Sequence, residues 1–172
     1  MEKGTGTAGR EEILKLTNEF TYRKYLMNKE QVKDFFKKIT VPEYIALHHI
    51  ASGSEISDIY SGRTYLKELS EKMQISIHQT SKMVGALRDK GLLVWSHDGN
   101  GSEGTYVTIT ENGCKLLGEQ EEALKKYYEK VIQRFGKENL IQLLQLMKQL
   151  ETVMSSEREE WGETDDIHGT DE

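Results

Sequence analysis

Tyr65–Thr110 decides the fold: YLKELSEKMQISIHQTSKMVGALRDKGLLVWSHDGNGSEGTYVTIT. Leu66, Leu69 and Met73 form the apolar stripe of a first short helix. Gln74-Ile75-Ser76 is a turn. Ser76-Ile-His-Gln79 has capping-box spacing: the serine hydroxyl takes the amide three residues on, and the glutamine side chain reaches back. A second helix therefore opens there. Lys90-Gly91 closes it, with glycine where a left-handed cap is favoured. Leu92–Ser96 and Thr105–Ile109 read as two short strands around the tip Asp98–Gly104, which holds three glycines in seven residues. Helix, turn, helix and hairpin in this order make a winged helix-turn-helix. Such a unit offers its second helix to a DNA major groove and its hairpin to the flanking backbone.

Upstream, Thr40-Val-Pro-Glu43 is a second capping box, with Pro42 in the first turn, where an amide has no intrahelical partner. The helix it opens runs to about Ala51, with Tyr44, Leu47 and Ile50 as core candidates. Ser52–Thr64 reads as a loop whose Ile56, Ile59 and Tyr60 lie against the body. Glu11–Met27 is helical, with Ile13, Leu16, Phe20 and Met27 near one face. Asn28 and Gln31 have cap spacing before Val32, Phe35, Phe36 and Ile39; one bent helix or two both fit. Downstream, Thr110 caps a helix over Glu111–Phe135, ended by Gly136. The last helix, Lys137–Ser155, carries Leu140, Ile141, Leu143, Leu144, Leu146, Met147, Leu150, Val153 and Met154. That exceeds the one apolar face a lone surface helix needs. Burying a large side chain is worth about 1.5–3 kcal/mol, so a second subunit is the natural cover.

The expected plan is mainly α with a small β-hairpin wing, a winged helix-turn-helix flanked by dimerisation helices. Residues 1–10 are a flexible tail and 11–155 a single domain. Within it the dimerisation helices span about 11–39 and 111–155, and the winged helix about 40–110. Residues 156–172 are an acidic, disordered tail.

Composition removes other classes. The 172 residues are 36 % hydrophobic and 30 % charged, with one proline and one cysteine. No apolar run is long enough for a membrane span. Met1–Arg10 lacks the apolar core of a secretory signal. A lone cysteine gives no internal disulfide and fits a reducing cytoplasm. The net charge of −6 argues against nucleic acid until its distribution is read. Ser155–Glu172 carries eight acids and one base, leaving +1 for Met1–Met154. Tyr60–Val94 is +3: Arg63, Lys67, Lys72, Lys82, Arg88 and Lys90 against Glu68, Glu71 and Asp89. Local distribution, not total charge, sets the field at a contact surface.

On a helical wheel of Ile77–Lys90, Thr80, Met83, Val84 and Leu87 make the buried face, with Ser76 and Ile77 alongside. His78, Lys82, Gly85 and Asp89 lie opposite, flanked by Gln79, Ser81 and Ala86. Gln79 suits an adenine edge, Lys82 a guanine edge or phosphate, and Ser81 either. Gly85 lets the helix approach the bases, and the first amides of Ser76–Gln79 attract phosphate. The candidate DNA-binding set is Arg63, Lys67, Ser76, His78, Gln79, Ser81, Lys82, Gly85, Asn100 and Ser102. An ordinary solvated helix face is the competing reading for each of them taken singly.

With these residues in hand, the chain resembles the MarR family of bacterial transcription regulators. The likeness runs through Thr40-Val-Pro-Glu43, Leu47-His-His-Ile50, Leu66-Lys-Glu-Leu69, Ser81-Lys-Met-Val84, Leu87 with Lys90-Gly91-Leu92-Leu93, and Val107-Thr-Ile-Thr110-Glu-Asn-Gly113. It covers roughly Glu11–Ser155. The resemblance implies a homodimer joined through its first and last helices. It also implies a near-palindromic double-stranded operator, repression, and release by a small molecule or oxidant. An effector would sit between the dimerisation helices and the winged domain, with Tyr22, Tyr44, His48 and Tyr127 as candidate lining. Two departures stand out. Trp95 occupies a place where the family usually has arginine, and Ser102-Glu103-Gly104 replaces a basic wing motif. Wing contacts therefore weaken, and the recognition helix, Arg63 and Lys67 must supply more affinity.

Other chemistry is thin. Cys114, in a first helical turn, reads as a small buried hydrophobe before a redox sensor. His48 and His49 point 100° apart and make a poor metal pair. Trp95 and Tyr106 read as a cross-strand aromatic pair. No spacing suggests a cofactor, a metal or an enzyme. The alternative function is a winged-helix protein-interaction module with little or no DNA binding, motivated by the acidic wing and tail.

Overall fold

The structure, a computed structural model, describes residues 7–29, 36–53, 62–99 and 104–165. They fall into two compact units, Met1–Glu121 and Glu122–Glu172. The elements in order are α1 (Thr7–Lys29), α2 (Val41–Gly53), β1 (Thr64–Tyr65), α3 (Leu66–Met73), α4 (Ile77–Asp89), β2 (Leu93–His97), β3 (Thr105–Ile109), α5 (Glu111–Phe135) and α6 (Lys137–Asp165). The chain is mainly helical with a small antiparallel sheet.

Both capping boxes form. The Thr40 amide donates to Glu43 Oε2 at 2.7 Å and the Glu43 amide to Thr40 Oγ1 at 3.4 Å, opening α2. The Ser76 hydroxyl accepts from the Gln79 amide at 3.2 Å, and the Ser76 amide donates to Gln79 Oε1 at 3.1 Å, opening α4. Between α3 and α4, Gln74 takes φ 52°, a left-handed position usually given to glycine. It lets the Gln74 and Ile75 amides return to Glu71 O and Ser70 O, ending α3 cleanly. At the far end of α4, Gly91 has φ 71° and Leu92 donates back to Leu87 O at 3.0 Å.

One core holds the first unit together. Ile39, just before α2, and Leu47, Ile50, Leu66, Leu69, Val84, Leu87, Leu93, Val107 and Leu117, drawn from α2 through α5, are buried in it. The periodicity of α3 and α4 pointed to Leu66, Leu69, Thr80, Val84 and Leu87, and all five are buried. Tyr44, Met73 and Met83 pack against the core while partly exposed.

Several expectations change. The sheet has three strands in the order β1-β3-β2, because Thr64 and Tyr65 pair with Val107 and Tyr106. A two-residue strand is too short to show period-2 alternation in sequence. Trp95 does not face Tyr106: the register sets Trp95 against Val107 and Ser96 against Tyr106, so the aromatics take successive positions on opposite faces. Tyr106 pairs instead with Tyr65, ring centroids 5.9 Å apart. Cys114 is exposed, not a buried hydrophobe. α1 begins at Thr7, inside the stretch read as a tail, and α6 continues ten residues past Ser155 to Asp165. Ile13, Leu16, Phe20 and Met27 are all exposed on α1. Asn28–Gln31 as a cap pair, and Ile56, Ile59 and Tyr60, lie partly or wholly outside the described residues.

The second unit is a helical pair joined at Gly136, whose φ of 95° ends α5. Asn139 Nδ2 donates to Phe135 O at 2.7 Å across that break. Ile141, Leu144, Leu146, Met147, Leu150, Val153 and Met154 of α6 are exposed.

Candidate nucleic-acid interface

α4 is fixed from below and open above. Thr80, Val84 and Leu87 are buried beneath it, and Thr80 Oγ1 donates to Ser76 O at 3.0 Å. His78, Gln79 and Lys82 are exposed, and Ser81 is half-buried. A Cβ added at Gly85 would meet nothing within 4 Å, so the middle of the face is low and accessible. Among the described residues no side-chain hydrogen bond or ion pair engages His78 or Lys82.

The wheel erred at one place. Ile77 was set beside the buried face, yet it is 55 % exposed. The residues that α4 buries begin at Thr80, so no side chain of its first three positions is covered. Ser76 is likewise exposed, as an N-cap should be.

Charge is narrower than the sequence count. Lys72 pairs with Glu68 at 2.7 Å, Arg88 with Asp89 at 2.9 Å, and Lys90 with Glu43 at 2.7 Å. Three of the six local cations thus face an acid of their own surface. Lys82, of the candidate set, is exposed on the open face of α4. The Arg63 guanidinium stacks over Tyr106 at 4.6 Å, which orients it beside the wing.

The Lys90–Glu43 pair also positions the helix. Glu43 is only 6 % exposed and sits in the first turn of α2, while Lys90 is the C-cap of α4. Burial raises the Glu43 carboxyl, but the Lys90 ammonium and the Thr40 amide outweigh it and hold the group below its usual value. α4 is thereby tied to α2 at the end opposite its exposed first turn.

A backbone junction joins α4, the wing and α5. Thr110 Oγ1 donates to Gly91 O at 2.8 Å and accepts from the Gly113 amide at 3.0 Å, and the Thr110 amide donates to Leu92 O at 3.1 Å. A Cβ on Gly113 would stand 2.1 Å from Leu92 O, so only glycine lets α5 start this close. In the wing, Asp98 N donates to Gly104 O at 3.0 Å, one pair beyond the strands. Tyr65 Oη donates to Asp98 Oδ2 at 2.8 Å and anchors the base of the tip. That bond raises the Tyr65 hydroxyl, with Arg63 acting against it. Asp98 is therefore a structural strut as well as a negative charge. Asn100 and Ser102, the candidate tip contacts, lie outside the described residues.

No protein-family model matches the chain, and no curated relative matches it. Solved structures do. A cysteine-to-serine mutant of MarR from E. coli complexed with operator DNA is 15 % identical with a TM-score of 0.62, over 81 % of this chain and 95 % of that one. MarR of Staphylococcus aureus, in complex with salicylate and kanamycin, is 20 % identical with a TM-score of 0.60, over 88 % and 99 %. The PcaV transcriptional regulator of Streptomyces coelicolor, in complex with its natural ligand, is 14 % identical with a TM-score of 0.60, over 88 % and 98 %. The chain has the MarR winged-helix fold.

Within this MarR fold, the candidate effector residues divide. Tyr44 and His48 lie one turn apart on α2 and stack, centroids 6.3 Å apart. His48 Nδ1 is 3.0 Å from Glu121 Oε1. Burial and the Glu121 charge raise the Tyr44 hydroxyl. Tyr22 is exposed on α1, and Tyr127 is an exposed residue of the second unit, edge-on to Tyr128 at 5.1 Å. Burial, with Lys72 and His48 nearby, lowers the His49 imidazole. Among the described residues no three His, Cys, Asp or Glu side chains are grouped to hold a metal. No helix among them is long and apolar enough to cross a membrane.

Proposed function

We propose that the chain is a sequence-specific, double-stranded DNA-binding transcription regulator. It acts as a homodimer in the cytoplasm, represses from a near-palindromic operator, and answers to a small molecule. The observation that carries this reading is α4. It is capped at both ends, anchored by Thr80, Val84 and Leu87, and open along His78, Lys82 and Gly85 beside a braced wing. A helix held this way has the bearing surface that a major groove requires. Arg63 and Lys67 supply phosphate contacts, and the Ile77 and His78 amides, which the Ser76–Gln79 capping box leaves open, face another at the start of α4. Operator DNA and small-molecule complexes of proteins with the same fold support the reading. The exposed apolar residues of α1 and α6 support a second copy as their cover. Tyr22, Tyr44, His48 and Tyr127 remain the candidate effector lining. No catalysis enters this reading.

Footprinting of the DNA upstream of the chain's own gene tests it. The expected pattern is two protected half-sites centred about 10–10.5 base pairs, or a multiple, apart. Absence of protection at micromolar protein contradicts it. That result favours the alternative, a protein-interaction module with little or no DNA binding, which rests on Asp98, Glu103 and the C-terminal net charge of −7.

A further inference from the structure

The leading turn of α4 carries an apolar side chain that the fold leaves unused. Ile77 is 55 % exposed, while Thr80, Val84 and Leu87 make the contacts below. Along the helix, Ile77, Ser81 and Gly85 form one i, i+4, i+8 row, next to the row of His78 and Lys82. Nothing stands above Gly85, so the Ile77 row can meet a flat edge without obstruction.

Polar readout from the same turn is restricted. Gln79 Oε1 accepts from the Ser76 amide at 3.1 Å and lies 3.2 Å from the Ser76 hydroxyl. A bidentate pair with adenine needs that oxygen, so it would cost the helix its cap. The apolar group a major groove presents is the thymine C5-methyl. Lys82 on the neighbouring row, with Arg63 and Lys67, brings the matching positive charge to a DNA backbone. We propose that Ile77 is a specificity-determining residue, selecting thymine in each half-site by packing against the C5-methyl. This rests on the DNA-binding reading above.

The test uses the full chain and duplexes enriched by the wild-type protein from a random-sequence library. Each thymine of the enriched site is replaced in turn by deoxyuridine, which lacks the methyl and keeps base pairing. Affinity is read by fluorescence anisotropy. At one thymine position, loss of a methyl weakens wild-type binding about fourfold. The same replacement leaves Ile77→Ala unaffected and costs Ile77→Val an intermediate amount. Equal thermal melts confirm that the variants fold, and the DNA-side change leaves the protein untouched. Two outcomes overturn the proposal: no position with such a loss, or the same loss in Ile77→Ala. In either case salt-sensitive binding to the enriched duplex keeps the DNA-binding reading intact. Failure to enrich any duplex overturns both.

Discussion

Gly113 shows how much one side chain can decide. Its α5 backbone passes Leu92 O so closely that an added Cβ would stand 2.1 Å away, with Ile109 Cγ1 at 2.7 Å. The obstacle is backbone, which cannot swing aside. Gly113→Ala should therefore destabilise the protein by about 3 kcal/mol, seen as a lower urea midpoint with little change in slope. Unchanged stability would mean α5 starts elsewhere. The sequence shows Glu111-Asn112-Gly113 only as the start of a helix. The contact is to a residue 21 positions earlier, which no local pattern reveals. Ile77 escaped for a related reason. A wheel reports direction but not where the core beneath a helix stops. Gln79 was legible both as a cap and as a base reader, and only the geometry shows that one oxygen cannot serve both.

Elements, by contrast, were largely written in their ends. The capping boxes at Thr40 and Ser76, the glycine at position 91 and the threonine at 110 located α2, α4 and α5 because caps are local chemistry. β1 was missed because two residues carry no alternation, and the hairpin register because strand pairing is not local. Ser76→Ala should cost about 1 kcal/mol of stability by removing the α4 cap, and a urea titration checks it. Glu43 gives a pH-dependent prediction. Its folded carboxyl lies below the usual 4.5, so its stabilising contribution is present above that pH and lost as pH falls through the folded value. At pH near 7, Glu43→Gln should cost about 2 kcal/mol, less than a fully buried pair because Lys90 is partly exposed. The gap between variant and wild type should close on acidification below pH about 4.5. A gap that widens instead would show that Lys90 does not hold the carboxylate in the folded state.

For the molecule as a whole, the apolar content of the last helix was readable, and its outward display fits the proposed dimer. Its length was not. Acidic composition pointed to disorder after Ser155, whereas helix continues to Asp165, because charged residues propagate a helix already begun. Sedimentation should show a dimer at micromolar concentration. Met147→Asp, placing a charge on the exposed side of α6, should shift it toward single subunits; a wild-type protein already monomeric would contradict the dimer. In the proposed reading dimerisation and groove contact are linked, since a pseudo-palindrome would be read by two copies of α4 at once. The most direct measurement is the dependence of DNA affinity on salt for wild type and Lys82→Ala, using DNA from the chain's own locus. The expected result is a steep linear fall of log K with log salt, with the slope reduced by about 1 for each Lys82 phosphate contact removed. Affinity that is absent, or indifferent to both salt and Lys82, would contradict the assignment of α4 to the groove.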